Sequence, residues 1–171
     1  MPPAITQIGE CFAGEGVDAA HVNTVLGIKG GPVETAWATA LATPRPGNAA
    51  FVAVLRPNLP VQPLTLFVNK ATIAGDRHGE LTWGAAQAGV AAGVADAVAA
   101  GTIAEADATG LLLIAAVWVN PDARAADAVY ANNRRATAEA LANGAAGRPS
   151  ITDVLAARDA PSNPYYTPPA R

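Results

Sequence analysis

The sequence predicts an α/β domain: a two-layer sandwich in which about five strands form one sheet and about three helices pack on it. Three observations carry this. Residues 20–27 and 66–73 alternate with a period of two, as strands do. Residues 111–119 are apolar without interruption, which suits a strand covered on both faces. Between them, Trp83, Gln87, Val90, Val94 and Val98 recur at helical spacing.

In chain order, residues 4–10 read as a first strand, closed by the Gly-containing turn 13–17. Residues 20–27 form the second, with His21, Asn23 and Val25 facing one way and Val22, Thr24 and Leu26 the other. Gly30-Gly31-Pro32 breaks that strand and opens a helix over 32–43, where proline suits the first turn and Glu34 the positive end of the dipole. Residues 50–55 are a third strand. Three prolines, Pro57, Pro60 and Pro63, then hold the chain extended, since each fixes its own φ and keeps its predecessor out of the helical region. The fourth strand follows, with Leu66, Val68, Lys70 and Thr72 on one face and Phe67, Asn69, Ala71 and Ile73 on the other. Apolar residues on both faces predict cover on both. A long helix spans 79–100, in which Gly84, Gly89 and Gly93 each lower propensity by about 1 kcal/mol relative to alanine, so close approach to a neighbour is expected of them. Gly101 stops it, and a short turn is expected within 104–109. The fifth strand, 111–119, ends at Asn120-Pro121-Asp122, and a last helix runs over 123–143.

The chain of 171 residues reads as one domain, 1–157, followed by a proline-rich tail, 158–171, that is either disordered or laid on a neighbouring subunit. Only 15% of residues are charged, against about 25% in a typical domain, and this predicts a homo-oligomer. The net charge of −3, with no basic run longer than Arg134-Arg135, argues against nucleic acid as a partner. A single cysteine, Cys11, leaves no internal disulfide, and the separated His21 and His78 leave no metal site. The first residues lack the charged and apolar regions of a signal peptide, and the run 111–119 is too short to span a bilayer, so a cytoplasmic protein without membrane attachment is expected.

Three side chains break the apolar pattern. Lys70, one of two lysines, stands on a strand with apolar faces. It either snorkels at the strand end or is a desolvated amine that binds an anion or forms an imine. Thr72 adds a hydroxyl on its face. His21 is either a satisfied structural residue or a proton donor, with Asn23 about 7 Å away on the same face. Gln87, inside an apolar helical stripe, must find partners or cost about 1–3 kcal/mol. It either bonds sheet backbone at a layer boundary or reads a planar heterocycle with an amide that donates and accepts together. Cys11 reads as a small buried residue, Gly27–Pro32 as an ordinary turn, and Asp76-Arg77-His78 and Arg134-Arg135 as solvated. Together these residues point to a small-molecule site and leave its reaction open.

At these residues the sequence resembles the formaldehyde-activating enzyme family, the tetrahydromethanopterin hydro-lyases. The likeness runs from about Ile5 to Ser150 and is densest in Gly9-Glu10, Ala20-His21, Gly31-Pro32 with Glu34-Thr35-Ala36, Pro57-Asn58-Leu59-Pro60, Asn69-Lys70 with Thr72-Ile73, and Ala86-Gln87 with Gly89-Val90-Ala91. The resemblance implies a ribosomal-protein-S5-domain-2-like α+β sandwich and a homopentamer with sites between adjacent subunits. It implies a carbon–oxygen lyase that condenses formaldehyde with the reduced pterin to methylene-tetrahydromethanopterin and water. His21 would be the general acid that protonates the departing hydroxyl of the carbinolamine. Lys70, Thr72 and Gln87 would contact the pterin and Val52 would line its pocket, with Asn23 beside the histidine. The pterin is a co-substrate, and no permanent cofactor or metal is expected. The chain departs from the family pattern at Asn23, where the family has aspartate, at Val52, where it has leucine, and at Ala88, where it has histidine. Asn23 opens a second reading, a non-catalytic or weakly catalytic carrier or sensor of pterin or aldehyde.

Overall fold

Residues 6–169 are described by the computed structural model. Strand β1 (Thr6–Ala13) pairs antiparallel with β2 (Ala20–Ile28), and β2 pairs antiparallel with β7 (Leu111–Val119). β6 (Leu64–Asn69) lies parallel to β7, and the two-residue β3 (Phe51–Val52) closes the far edge against β6. The sheet order is therefore β1-β2-β7-β6-β3. The proline stretch is not simply extended. β4 (Val54–Arg56) and β5 (Leu59–Pro60) form a small hairpin whose turn is Pro57-Asn58. Pro57 presets φ at the first turn position and Asn58 takes a positive φ of 66° at the second, the pattern a type II turn demands.

Helix α1 (Pro32–Ala42) follows β2, α2 (Asp76–Glu80) runs through a π-helical stretch, Leu81–Ala86, into α3 (Gln87–Ala99), and α4 (Ala126–Ala145) follows β7. A further short helix, α5 (Ile151–Ala157), was not expected; Ser150 and Asp153 build a capping box at its start. α3 and α4 pack side by side and form the layer on one face of the sheet. That face carries Cys11, Val22, Thr24, Leu113, Ala115, Val117, Thr65 and Phe67, all buried. Burying one fully exposed Leu- or Phe-sized side chain contributes about 1.5–3 kcal/mol, so this seam supplies most of the hydrophobic stabilisation.

Glycine sets the spacing of the two helices. A Cβ on Gly89 would run into the carbonyl of Tyr130, and one on Gly93 into that of Arg134. Gly84, read in the same way from the sequence, faces open space. The expected helical stripe is also corrected at Trp83, which is 44% exposed while Leu81, Thr82 and Ala86 are buried. A π turn holds an extra residue, so a 3.6-residue phase carried through Leu81–Ala86 does not hold there. Trp83 therefore leaves the face shared by Gln87, Val90 and Val94.

His78, expected in solvent, is buried instead. Its Nδ1 accepts the Ala74 backbone N–H at 3.0 Å and its Nε2 donates to the Val119 carbonyl at 3.0 Å, which ties α2 to the end of β7. Arg134 is exposed as expected, but its guanidinium makes a two-point contact with Asp96, at 2.6 and 2.8 Å, across the α3–α4 surface. Hydrogen bonding to that guanidinium holds the Asp96 carboxyl below its ordinary range.

Candidate functional site

The second face of the sheet is only partly covered. Residues paired across strands project to the same side, so the registers give its rows directly. Phe12, His21 and Trp118 form one row; Glu10, Asn23, Ala116 and Val68 form the next; Ile8, Val25, Ile114, Leu66 and Val52 form a third. Lys70 follows β6 by one residue and donates its backbone N–H to Val117 at 2.7 Å, which keeps it beside Trp118. The strand is not covered on both faces at this end: Lys70 is exposed.

A cavity of about 680 Å³ lies over the first two rows, lined by Glu10, Phe12, His21, Asn23, Lys70 and Trp118 from the sheet. The fourth side comes from the tail. Ser162, Asn163, Pro164 and Tyr165 cross above the strands, and the Tyr165 ring meets Trp118 edge-on at 6.1 Å. An Asn163–Tyr166 bridge and the Tyr165 N–H donated to Asn163 Oδ1 at 2.9 Å shape that turn. The tail thus lies on its own chain's sheet.

His21 lines this cavity. Its Nε2 stands 2.7 Å from Glu10 Oε1, and the Phe12 ring flanks it at 6.1 Å. Cys11, next to Glu10 in sequence, points to the helix layer instead. Burial, with the neighbouring Glu139 carboxylate that accepts its S–H at 3.1 Å, pushes the thiol up to about 12. It stays protonated and is no nucleophile.

The six residues expected at the site fall into two groups within one chain. His21, Asn23 and Lys70 meet in the cavity. Val52, Thr72 and Gln87 lie outside its lining. Val52 shares the open face beside Leu66. Thr72 lies past the end of β6, where its hydroxyl accepts from Asn48 Nδ2 at 3.2 Å. Gln87 spends its amide on the main chain of Val54, accepting its N–H at 2.7 Å and donating to its carbonyl at 3.1 Å. Sequence reasoning missed Glu10, Phe12, Trp118 and Tyr165. Alternation along 4–10 places Glu10 on a face with Ile8, but only the β1–β2 register brings that face to His21.

The sequence profile described as formaldehyde-activating enzyme (Fae) matches residues 8–166. The chain belongs to that family. It is 40% identical over 160 residues, 94% of this chain and 90% of the relative, to a protein of Methanosarcina barkeri named 5,6,7,8-tetrahydromethanopterin hydro-lyase. It is also 40% identical over 89% of its length to a bifunctional enzyme Fae/Hps of Methanococcoides burtonii, and 37% identical over 93% to one of Archaeoglobus fulgidus. The match spans only 38% and 40% of those two longer proteins. Membership fits the architecture: Glu10, His21 and Lys70 of the cavity, the hairpin residues 57–60 and Gly89 of the α3–α4 contact all lie in the segments that carry the likeness.

Proposed function

We propose that the chain is a carbon–oxygen lyase that condenses formaldehyde with tetrahydromethanopterin to methylene-tetrahydromethanopterin and water. The observation that carries this reading is the half-exposed His21, paired with a carboxylate, in the wall of a cavity large enough for a bicyclic ring. The likeness to a named hydro-lyase over nearly the whole chain supplies the substrates.

Formaldehyde adds to a pterin amine to give a carbinolamine. His21 as imidazolium donates a proton to its hydroxyl, the C–O bond breaks, and water leaves with the bonding pair. The nitrogen lone pair then forms the C=N⁺ bond. The second amine closes on that carbon, and the proton it loses returns to His21. No electrons are transferred, so acid–base chemistry suffices and no permanent cofactor is called for. Lys70 would meet the anionic or carbonyl edge of the pterin, with Thr72 and Val52 completing its contacts and Gln87, its amide held on the Val54 main chain, anchoring the backbone two residues from Val52. Because one chain presents these residues as two separated groups, a site shared between adjacent copies would unite them. A homo-oligomer, by family resemblance a pentamer, is therefore part of this proposal. α1 supports it: among its residues only Val33 is buried, and Leu41 stays exposed. We place the enzyme in the cytoplasm; among the described residues, no helix is long and apolar enough to cross a membrane.

Purified protein should accelerate methylene-tetrahydromethanopterin formation above the spontaneous rate, and His21→Ala should lower the gain by about 10²–10⁴-fold, the usual worth of a general acid. No acceleration at any pH from about 5 to 8 would remove the assignment. Asn23 favours a second reading, a pterin or aldehyde carrier, because an amide brings no charge to the histidine. Calorimetry separates the two: pterin binding without acceleration supports the carrier.

A further inference from the structure

The geometry points to Glu10 as the positioning residue of the general acid, a carboxylate delivered from the neighbouring strand that holds the proton on His21 and fixes which ring nitrogen addresses the substrate. This rests on the assignment of His21 given above.

Strand register brings the two side chains together. Asn23 sits directly across from Glu10 on the β1–β2 ladder, and His21 is its diagonal neighbour. A glutamate reaches that diagonal easily, since such neighbours lie about 7–8 Å apart at Cα. The 2.7 Å separation is in the range of a charge-assisted hydrogen bond. An ionised carboxylate only accepts, so Nε2 carries the hydrogen. Among the described residues nothing else bonds the ring, which leaves Nδ1 to give the proton and take it back. Phe12 flanks the ring and limits its rotation. The other groups facing His21 are few. Asn23 from its own strand and Trp118 from β7 are neutral, and the Tyr165 phenol comes from the tail. Glu139 is on the far side of the sheet with Cys11. Among the described residues, Lys70 is thus the one cation lining the cavity and Glu10 the one carboxylate.

The pair is half open to water, with side-chain exposures of 39% for His21 and 60% for Glu10. An ion pair so placed does little for folding in the free protein. A substrate that fills the cavity excludes that water, and the attraction between the two charges grows as the local dielectric falls. The effect therefore belongs to turnover more than to stability.

The test compares wild type, Glu10→Gln and the double variant Glu10→Gln/Asn23→Asp. Glu10→Gln keeps an acceptor for Nε2 and removes the charge. Its thermal unfolding should match wild type within a few degrees, while the alkaline limb of kcat/KM moves to lower pH by about one unit, the scale expected for loss of one close counter-charge. The rate at the acid end should change less than at the alkaline end. Asn23→Asp in the same background should move the limb back, because it restores a carboxylate beside the ring. A proton NMR titration gives an independent readout, since the chain has only two histidines and both ring nitrogens of His78 are engaged. The pH at which the His21 signals move should fall in Glu10→Gln. An unmoved limb together with unmoved signals overturns the role of Glu10. If wild type shows no catalysis, the functional assignment fails, and the NMR titration alone still decides whether Glu10 and His21 are coupled.

Discussion

Asn23 and Glu10 share one rung of the ladder, one an amide and the other a carboxylate that reaches the His21 imidazole. This argues for an enzyme over a carrier. A carboxylate beside a catalytic histidine can be worth about 10⁴-fold in a serine protease, and here it arrives from another strand. Asn23→Asp in the otherwise native chain should then give a modest gain. A second negative charge stabilises the imidazolium, so the acid form persists to higher pH and the benefit appears on the alkaline side. Steady-state rates should rise about 3- to 10-fold near pH 8 and little near pH 6, since Lys70 and Glu10 already set most of the local field. A gain of several hundredfold at all pH values would show that Glu10 supplies nothing. Period-two reading singled out His21, Asn23 and Lys70, which the fold brings to one cavity, because alternation along a strand is a local property. It could not find Glu10 or Trp118, whose approach to His21 depends on pairing between segments far apart in sequence.

Elements were mostly legible, and each miss has its own physical cause. Strands 20–28 and 111–119 and helix 32–42 lie within a residue of their expected bounds. Trp83 failed because the extrapolation of a 3.6-residue period through a π turn carries the wrong phase. His78 failed because a charged-looking tripeptide hides a ring that joins α2 to β7 through both nitrogens. The glycines of α3 and the turn before it succeeded at two positions of three. Gly93→Ala should gain about 1 kcal/mol of helix propensity but meet the Arg134 carbonyl and the Thr137 side chain, an overpacking cost of about 1–3 kcal/mol. A net loss near 1 kcal/mol should lower Tm by about 2–4 °C in a domain of this size, as calorimetry would record. Gly84→Ala, where a Cβ meets nothing, should leave Tm level or higher and serves as the control.

At the scale of the whole molecule, the sheet divides labour between its faces. One is sealed by α3 and α4; the other carries the cavity, roofed at one end by the tail. Composition showed that the chain has little charged surface, yet not which face stays open, since the run 111–119 is apolar on both. The tail's proline content spoke for an extended segment and was silent on its destination. Removing residues 159–171 takes away the Tyr165 wall. KM for the pterin should rise about 3- to 10-fold, the worth of one edge-on aromatic contact, with kcat nearly unchanged and Tm within a few degrees of the full chain. A fall in kcat at constant KM would assign the tail to the chemical step instead.

The engagement of His78 on both nitrogens has one more consequence. Of two imidazoles in the chain, one is sealed inside the fold and the other lines the cavity, partly open to water. An acylating reagent selective for imidazole therefore meets a single target per chain. Protection of that target by a ligand counts occupied sites directly, by mass, in a preparation that need not turn over at all.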